Sequence, residues 1–554
     1  MPDFNDATSK PMVISRRRLM QSAGALALTA GAVSGMRPGQ ALAAGHGPYD
    51  LTVELAVVDP NVKNAPKLRT YNKLTPGPTL NVFPGENLEV NLTNSLDAQT
   101  AEEFCPASMN QFHAANSTNF HTHGLHVNPY KATDGRDSDN IFLTIVPEGQ
   151  EIPPACHMSE IRKVSTAYNF ELPDDHPSGT FWYHAHKHGS TALQVGNGLV
   201  GPLIVRDKPG VMPSYIENAP EDILLIQMRD IEVDTPAPGD SGGAPHLVLV
   251  NPSGEGGGIK DPEIVMRPGE VRRWRVINTA PRADTFVSLN LQGVDGGEAL
   301  EVYQIAYDGI TYDKRIKIDT TNDGAPWENP AALAPGNRTD FMVRVPKDAT
   351  PGELKLVALQ LPNTMMKQVG TSAGKPQPST AMQLNVRIQG DPIDAEWSDD
   401  PSLPGGGPLV APIDPNDVVK EQTADFNLIF GGGNPTKFLI DDHPFDGEVK
   451  KTMKLGTVER WHVTNRNEFT HPFHIHVNPF FVTHINGVEL AEDDPLRRWQ
   501  DTMAIPTAPA NWVEPAGSFT MLSRFVRFTG KFVIHCHILE HEDEGMMQAV
   551  EVIA

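Results

Sequence analysis

The closing stretch of the chain places one cysteine between two histidines and follows them with a further histidine and a methionine. The adjacent residues are His535, Cys536 and His537, and the later ones are His541 and Met546. If the run up to His537 forms a β-strand, Cys536 points to one face and its two neighbours point to the other. One strand end would then serve two separate metal sites. Thiolate, imidazole and a weak thioether form the ligand set of a blue-copper electron-transfer centre.

Closely spaced histidines also occur in three other places in the chain. In a strand, the pattern H-x-H places both imidazoles on one face, where they can share or flank a metal. A single H-x-H pair is weak evidence, but four clusters together with a flanked cysteine favour metal binding. The clusters contain ten of the chain's 20 histidines: His121 and His123; His184 and His186; His471, His474 and His476; and His535, His537 and His541.

The sequence around these clusters predicts β-structure. Residues 88–93 alternate apolar and polar side chains with period two, as a half-buried strand does. A motif of turn glycine, alternating strand and terminal asparagine occurs at 84–94, 268–278 and 455–465, so its copies lie about 185 residues apart. Three copies at domain-sized spacing predict an all-β protein of three β-sandwich domains of one kind.

Changes in composition give the predicted boundaries of these domains. Domain 1 covers residues 48–212, domain 2 covers 213–390 and domain 3 covers 421–554, and a Pro/Gly/Asp-rich linker occupies 391–420. Domain 2 contains no dense histidine cluster. Its predicted role is therefore structural: it spaces the other two domains and walls a cleft.

The bulk composition and the first residues limit where the protein can work. A net charge of −24 makes nucleic acid and anionic membranes poor partners.

Residues 1–43 have the features of a twin-arginine (Tat) export signal: Arg16-Arg17, an Ala/Leu/Gly-rich run and the cleavage pattern Ala41-Leu42-Ala43. We expect export by the Tat machinery to the periplasm or out of the cell. No later apolar run is long enough to span a bilayer, so no membrane anchor is expected in the mature form.

In chain order the four clusters have the patterns HxHG, HxH, HxxHxH and HCHxxxHxxxxM. These patterns resemble the copper signatures of the multicopper oxidases. The resemblance covers the mature chain and implies three cupredoxin-like Greek-key β-sandwiches. It also implies four copper ions: one type 1, one type 2 and two type 3. The implied ligands are His471, Cys536, His541 and Met546 for type 1, His121 and His474 for type 2, and His123, His184, His186, His476, His535 and His537 for the type 3 pair.

The resemblance also singles out acidic residues. Glu542 matches an acid that delivers protons towards the trinuclear copper site in similar enzymes. Asp139 resembles the family's other acid near that site, and Asp134 fits the spacing as an alternative. Asp501 lies in a W-x-D-T segment expected near the type 1 site, where it is a candidate to accept a hydrogen bond from a phenol or to attract a cation. Structural roles, such as orienting histidines or capping a turn, stay open for these acids.

Two further points stay open from the sequence alone. Cys105 and Cys156 both fall in domain 1 and pair only if they meet an oxidising compartment. His188 follows the second H-x-H pair, but the family pattern assigns it no copper.

The resemblance implies a laccase-like oxidase that takes single electrons from phenolic or aromatic-amine donors and reduces O₂ to water. One alternative is a metallo-oxidase that acts on Cu⁺ or Fe²⁺, because the HCHxxxHEDxGMM ending resembles that group and an acidic surface attracts cations. The Met-rich insert expected of a dedicated cuprous oxidase is absent from the sequence. Another alternative is a copper-sequestering protein, although storage does not require a redox-ready ligand set.

Overall fold

The structure, a computed structural model, describes most of the chain after the predicted export signal. Residues 1–43, with that signal, lie outside the described residues. The described residues are 47–57, 67–154, 156, 160–229, 246–251, 259–260, 263–282, 285–293, 300–319, 324–360, 377–431, 436–508 and 516–554.

The first sandwich packs two four-stranded sheets face to face. Its elements are β1 (Tyr49–Val57), β2 (Lys67–Tyr71), β3 (Leu80–Val82), β4 (Asn87–Asn94), α1 (Ala101–Phe104), β5 (His121–His123), β6 (Leu143–Val146), β7 (Glu160–Lys163), β8 (Ser165–Glu171), β9 (Gly179–His184), α2 (Thr191–Asn197) and β10 (Val200–Val205). The sheet orders are β2-β1-β4-β8 and β3-β10-β9-β5, and β6 and β7 form a separate parallel pair.

The second sandwich has a seven-stranded and a five-stranded sheet. Its elements are α3 (Ser214–Glu217), β11 (Glu221–Arg229), β12 (His246–Asn251), β13 (Ile259–Lys260), β14 (Glu263–Met266), β15 (Val271–Asn278), β16 (Val287–Gly293), β17 (Glu301–Tyr307), β18 (Ile310–Lys317), β19 (Ala332–Leu333), β20 (Arg338–Arg344), β21 (Gly352–Gln360) and β22 (Gln377–Ile388). The orders are β13-β12-β11-β15-β20-β17-β18 and β14-β22-β21-β16-β19.

The third sandwich follows two short 3₁₀ turns, Pro408–Val410 and Pro415–Asp417. Its elements are β23 (Val418–Ile429), β24 (Lys437–Ile440), β25 (Val449–Lys454), β26 (Thr457–Asn465), β27 (Pro472–Ile475), β28 (Phe480–Ile485), β29 (Val488–Glu489), β30 (Trp499–Gln500), β31 (Thr502–Ala504), β32 (Gly517–Phe525), β33 (Gly530–Cys536), α4 (Leu539–Asp543) and β34 (Met547–Ile553). One sheet runs β24-β23-β26-β32-β28-β29, with β30 also paired to β28, and the other runs β25-β34-β33-β27-β31.

The three repeated sequence motifs form the same structural feature in each sandwich. Their strands, β4, β15 and β26, each pair in parallel with an earlier strand and antiparallel with a later one. The side-chain oxygens of Asn94, Asn278 and Asn465 each accept the backbone N–H two residues later. Their amide nitrogens each donate to two backbone carbonyls. The motif repeats because each sandwich turns the chain in the same way after the same strand.

Each sandwich has its own apolar core, and the cores are joined at their boundaries. The large buried rings Phe120, Trp274 and Trp461 belong to the first, second and third core respectively. A further cluster packs Trp182 of the first sandwich with Ile277 of the second and Leu539 of the third. Full burial of side chains of this kind contributes about 1.5–3 kcal/mol each, so this cluster also holds the sandwiches together. The predicted all-β class is confirmed, and among the residues described no helix is long and apolar enough to cross a membrane.

Candidate metal centres

Four strands carry histidine clusters to the boundary between the first and third sandwiches. In the first, β5 pairs with β9 so that His121 lies opposite His184. In the third, β27 pairs with β33 so that His474 lies opposite His535. The two sandwiches contact each other through histidine rings: His123 stacks on His474 with 3.9 Å between ring centroids. Strand pairing within each sandwich and stacking between them thus gather residues from both ends of the chain.

Eight buried histidines meet at this boundary, and their nitrogens approach one another closely. Nε2 of His535 lies 3.3 Å from Nε2 of His186 and 3.2 Å from Nε2 of His476. Nε2 of His537 lies 3.3 Å from Nδ1 of His123. The members are His121, His123, His184, His186, His474, His476, His535 and His537, and all are nearly inaccessible to solvent. These are the histidines predicted for type 2 and type 3 copper.

Hydrogen bonds on the outer side of the rings determine which nitrogen faces the cluster centre. Nδ1 of His184 donates to the carbonyl of Ala185, and Nδ1 of His535 donates to the carbonyl of Cys536. Nδ1 of His474 donates to the carbonyl of Asp501. In each ring the proton therefore lies on the outside and Nε2 offers a lone pair to the centre.

This lone-pair arrangement fits metal ions. Nε2 of His121, His184 and His474 is buried and has no hydrogen-bond partner in the protein. Metal–nitrogen bonds of about 2.0 Å at tetrahedral angles place two ligand nitrogens about 3.3 Å apart, as observed here. Burial is the main cause that lowers the pKa of His184 to about 3 and of His535 to about 4, so the rings are neutral, as ligation requires.

A second cluster lies within the core of the third sandwich and contains the cysteine. Sγ of Cys536 lies 3.5 Å from Nδ1 of His471 and 3.6 Å from Nδ1 of His541, and these two nitrogens are 3.2 Å apart. Met546 is buried in the same core, and its carbonyl accepts the backbone N–H of Cys536. One thiolate and two imidazoles at these separations fit a trigonal copper site with a thioether nearby.

Asn467 holds the imidazole of His471 from behind. Nε2 of His471 donates to Oδ1 of Asn467 at 2.9 Å, and the same oxygen accepts the backbone N–H of Leu428. This contact was not predicted, although Asn467 lies only four residues before His471. His471 is fully buried, whereas His541 keeps 5% of its surface exposed. His541 is therefore the more accessible histidine of the cysteine cluster.

The structure distinguishes between the two candidate acids of domain 1. Both carboxylate oxygens of Asp139 lie 3.0 Å from Nδ1 of His121, and the backbone and hydroxyl of Thr122 also donate to Asp139. Burial raises the pKa of Asp139 to about 7. Asp134 instead pairs with Arg136 and lies at the surface. Asp139 is the acid beside the histidines.

Glu542 lies in a hydrogen-bonded chain whose direction can be worked out. Nδ2 of Asn110 donates to the carbonyl of Phe445, which leaves Oδ1 of Asn110 facing Nε2 of His188 at 3.0 Å. Burial lowers the pKa of His188 to about 4, so the ring is neutral and carries one proton. Since an amide oxygen only accepts, that proton is on Nε2, and Nδ1 is the acceptor. Oε1 of Glu542, 3.0 Å from that Nδ1, must then donate, so the carboxyl is neutral. Burial raises the pKa of Glu542 to about 8, in agreement with this assignment.

This chain reaches a cavity at the boundary of the first and third sandwiches. The cavity has a volume of about 760 Å³ and is lined by His186, His188 and Phe445, among others. His188 was not predicted to have a role. The only sequence signal for it is its place as the third histidine of an H-x-H-x-H run.

The expectation for Asp501 is corrected by its position. Its carboxylate is buried, forms a bidentate ion pair with Arg338 at 2.8 and 2.7 Å, and accepts from Nε2 of His123 at 3.2 Å. With only 3% of its surface exposed, Asp501 faces the eight-histidine cluster and cannot meet a donor that arrives from solvent.

The open question about the other two cysteines is resolved. Cys105 and Cys156 form a disulfide across 51 residues of the first sandwich. The loop it closes contains β5, with His121 and His123. Cys536 is the free cysteine of the described chain.

Comparison with known proteins agrees with these two clusters. Two family models described as "Multicopper oxidase" match residues 108–210 and 417–554, the segments that carry all four histidine clusters. The laccase of Bacillus subtilis (strain 168) is 25% identical over 520 residues, covering 88% of this chain and 90% of its own length. The "Multicopper oxidase mco" of Staphylococcus aureus is 25% identical over 490 residues, covering 87% and 83%.

A solved structure of similar fold spans nearly the whole chain. The multicopper oxidase of Campylobacter jejuni, whose description adds "a metallo-oxidase", superposes with a TM-score of 0.62 at 21% identity over 91% of this chain and 90% of its own. The match shows that the three sandwiches have the cupredoxin-type fold of these enzymes. The two family models, the relatives of nearly full length and the two buried ligand clusters together indicate a laccase-like multicopper oxidase, an oxidoreductase that uses O₂.

Proposed function

We propose that this enzyme is a laccase-like oxidase that removes single electrons from phenolic or aromatic-amine donors and reduces O₂ to water. It would hold four copper ions. The proposed ligands are His471, Cys536, His541 and Met546 for type 1, His121 and His474 for type 2, and His123, His184, His186, His476, His535 and His537 for the type 3 pair. The copper ions supply one-electron redox chemistry and the binding of O₂.

The observation that carries the proposal is the position of Cys536 between the two clusters. Its side chain belongs to the cysteine cluster, whereas its neighbours His535 and His537 belong to the eight-histidine cluster. Reduction of O₂ to water takes four electrons, and a phenol gives one at a time. A covalent link of one residue between an electron entry site and a cluster of several metals suits an enzyme that receives electrons singly and delivers four to O₂. A copper-sequestering protein has no need of such a link.

The donor would approach His541 rather than His471. Asn467 covers the outer nitrogen of His471, and only His541 of the two keeps an exposed fraction. The ring of Phe438 lies 5.0 Å from that of His541 and offers an apolar contact. Such a surface suits an aromatic donor.

Proton supply is the task proposed for Glu542, and ligand orientation is the task proposed for Asp139. The neutral carboxyl of Glu542 can release a proton, and His188 connects it to the cavity, where water can restore it. Asp139 would hold His121 through its Nδ1–H and keep its other nitrogen directed at the cluster.

A metallo-oxidase that acts on Cu⁺ or Fe²⁺ is the second candidate. Two observations favour it: the similar solved structure is described as a metallo-oxidase, and the net charge of −24 attracts metal cations. The sequence lacks a Met-rich insert, which favours the laccase-like candidate.

O₂ uptake by the copper-loaded protein tests both candidates. A phenol, an aromatic diamine, Cu⁺ and Fe²⁺ are offered as donors at matched concentrations. Faster uptake with the phenol and the diamine supports the laccase-like proposal, whereas a Cu⁺ or Fe²⁺ rate far above both replaces it with metal oxidation. Full copper loading with no uptake from any donor would identify a sequestering protein.

We further propose that the protein works in the periplasm or outside the cell after Tat export. The twin arginine at Arg16-Arg17 and the Ala41–Ala43 pattern support this proposal. Arg16→Lys/Arg17→Lys is expected to retain the protein in the cytoplasm, as cell fractionation would show. Unchanged export of that variant would contradict the proposal.

A further inference from the structure

Arg338 connects all three sandwiches at the edge of the eight-histidine cluster. It begins β20 of the second sandwich and is fully buried. Its two terminal nitrogens donate to the carboxylate of Asp501 in the third sandwich at 2.8 and 2.7 Å. Its Nε donates to the carbonyl of Thr180 in the first. A planar guanidinium with five fixed donors suits such a junction, whereas a lysine has one point of charge.

The second sandwich also holds the backbone next to Asp501. Oδ2 of Asp308 accepts the N–H groups of Asp501 and Thr502, both at 3.1 Å. Nδ2 of Asn337 donates to the carbonyl of Thr502 at 2.9 Å. Residues 501–502 are thus fixed by side chains of a sandwich that carries none of the proposed copper ligands.

This fixed segment accepts the outer N–H groups of two proposed ligands. The carbonyl of Asp501 accepts from Nδ1 of His474 at 2.9 Å, and Oδ1 of Asp501 accepts from Nε2 of His123 at 3.2 Å. Nε2 of His474 and Nδ1 of His123 consequently face the cluster. The two rings therefore present different nitrogens to the cluster, because both are held by the same dipeptide, residues 501–502.

A glycine in the same loop of the second sandwich touches the ligand rings directly. Gly336 has φ of +95°, and a Cβ placed there would lie 3.0 Å from Cδ2 of His537 and 3.1 Å from Cε1 of His123. Any side chain at this position would press on both rings. The second sandwich is therefore in contact with the cluster and does more than space its neighbours, which revises the expectation from the sequence.

We propose that Arg338 is a positioning residue of the trinuclear site, through which the second sandwich sets the orientation of His123 and His474. This proposal rests on the proposed copper occupancy of the cluster but not on the identity of the donor. Loss of the guanidinium leaves the Asp501 carboxylate buried without its partner. Without the two-point contact the carboxylate can turn away from His123, which then loses its fixed acceptor.

The test compares Arg338→Met with Arg275→Met in the copper-loaded full chain. Arg275 is the matched control: it is also buried, comes from the second sandwich and bonds to Thr180 of the first, but its ion pairs are with Glu221 and Asp340 and not with Asp501. Arg338→Met should weaken copper retention at the trinuclear site about 10- to 100-fold and change the type 2 electron paramagnetic resonance signal. The blue absorption of the Cys536 site should persist. Arg275→Met should lower Tm while leaving the type 2 signal unchanged.

Two results would overturn the proposal. One is a type 2 signal and copper content in Arg338→Met equal to those of the unmodified protein. The other is an equal spectral change in both variants, which would indicate a general loss of packing. Arg338→Lys keeps the charge without the two-point contact and should fall between Met and Arg.

If Arg338→Met does not fold, Gly336→Ala decides the matter. The added methyl group should alter the type 2 and type 3 signals and spare the blue absorption, and unchanged signals would exclude the proposed control by the second sandwich. None of these spectra needs an electron donor. A failure of the laccase-like proposal in O₂ uptake would therefore be distinguishable from a failure of this one.

Discussion

Nδ1 of His188 lies 3.0 Å from Oε1 of Glu542, although 354 residues separate the two in the chain. The contact joins the first sandwich to the helix that follows the Cys536 strand. It also fixes the carboxyl of Glu542 in its neutral form, because Asn110 determines the tautomer of His188. The acid proposed to supply protons therefore carries its proton in the resting enzyme.

Replacement of Glu542 by glutamine should lower kcat by about 100-fold or more, the usual effect of losing a positioned proton donor. The amide can occupy the same place but has no proton to release at neutral pH. Copper content and blue absorption should stay unchanged. Glu544→Gln is the control, because Glu544 is exposed two residues further on. A variant of Glu542 with full kcat would contradict the proton role.

The pH dependence of kcat should reflect the same carboxyl. Burial raises the pKa of Glu542 to about 8. Below that pH the group is protonated and able to donate, and above it the group is ionised, so kcat should fall as pH rises through about 8. Steady-state rates in matched buffers measure this decrease of kcat. In Glu542→Gln the decrease should be absent. If it persists, another group is responsible for it.

Asp139→Asn should weaken type 2 copper about 10- to 100-fold. Both carboxylate oxygens face Nδ1 of His121 and Oδ1 also accepts from Thr122, so an amide would place its N–H donors against one of these donor groups. Copper titration followed by electron paramagnetic resonance measures the loss. Asp134→Asn, at the competing position, should leave affinity unchanged, since Asp134 bonds to Arg136 and Asn169. Equal effects from the two variants would argue against the assignment.

Cys536→Ser should abolish the blue colour and remove type 1 copper. A serine oxygen is a poor substitute for the thiolate whose bond to copper gives the colour. The eight histidines keep their partners, so the type 2 signal should remain. Visible absorption and copper per chain measure both. A variant that stays blue would show that the type 1 assignment is wrong.

Two substitutions of Asn467 should shift the reduction potential of type 1 copper in opposite directions. Its oxygen accepts the Nε2–H of His471, which makes that imidazole a better donor and favours the oxidised metal. Asn467→Ala should raise the potential, and Asn467→Asp, with a charged acceptor, should lower it. Redox titration of the blue absorption measures both. Shifts of the same sign would mean that packing, and not this hydrogen bond, is responsible.

Removal of the disulfide should lower the free energy of unfolding by about 4 kcal/mol, from the chain entropy of a loop of 51 residues. The double variant Cys105→Ala/Cys156→Ala, unfolded by guanidinium in the copper-free form, measures this. The unmodified protein with reductant present is the control and should lose a similar amount. No change in either sample would show that the bond does not contribute to stability.

The ligand residues could be predicted because the signal is local. H-x-H in a strand presents both rings on one face whatever the rest of the chain does, and His535, Cys536 and His537 divide between two faces for the same reason. The threefold repeat was also visible, since the side-chain oxygens of Asn94, Asn278 and Asn465 each accept the backbone N–H two residues later.

Other features depended on partners far away in sequence. The spacing allowed either Asp139 or Asp134, and only the packing of the loop on His121 distinguishes them. The choice between a donor-binding and a structural role for Asp501 also depended on distant partners, because nothing near it in sequence indicates Arg338, 163 residues away, or His123, 378 residues away.

The sequence by itself thus determined which side chains are able to bind copper and that three β-sandwiches carry them. Only the tertiary structure decided which acid meets which histidine, that Cys105 meets Cys156, and that the second sandwich orients ligands it does not supply. The physical reason is one of range: side-chain alternation in a strand is set by the backbone over a few residues. A buried ion pair such as Arg338–Asp501 exists only when separate sandwiches exclude water from it together.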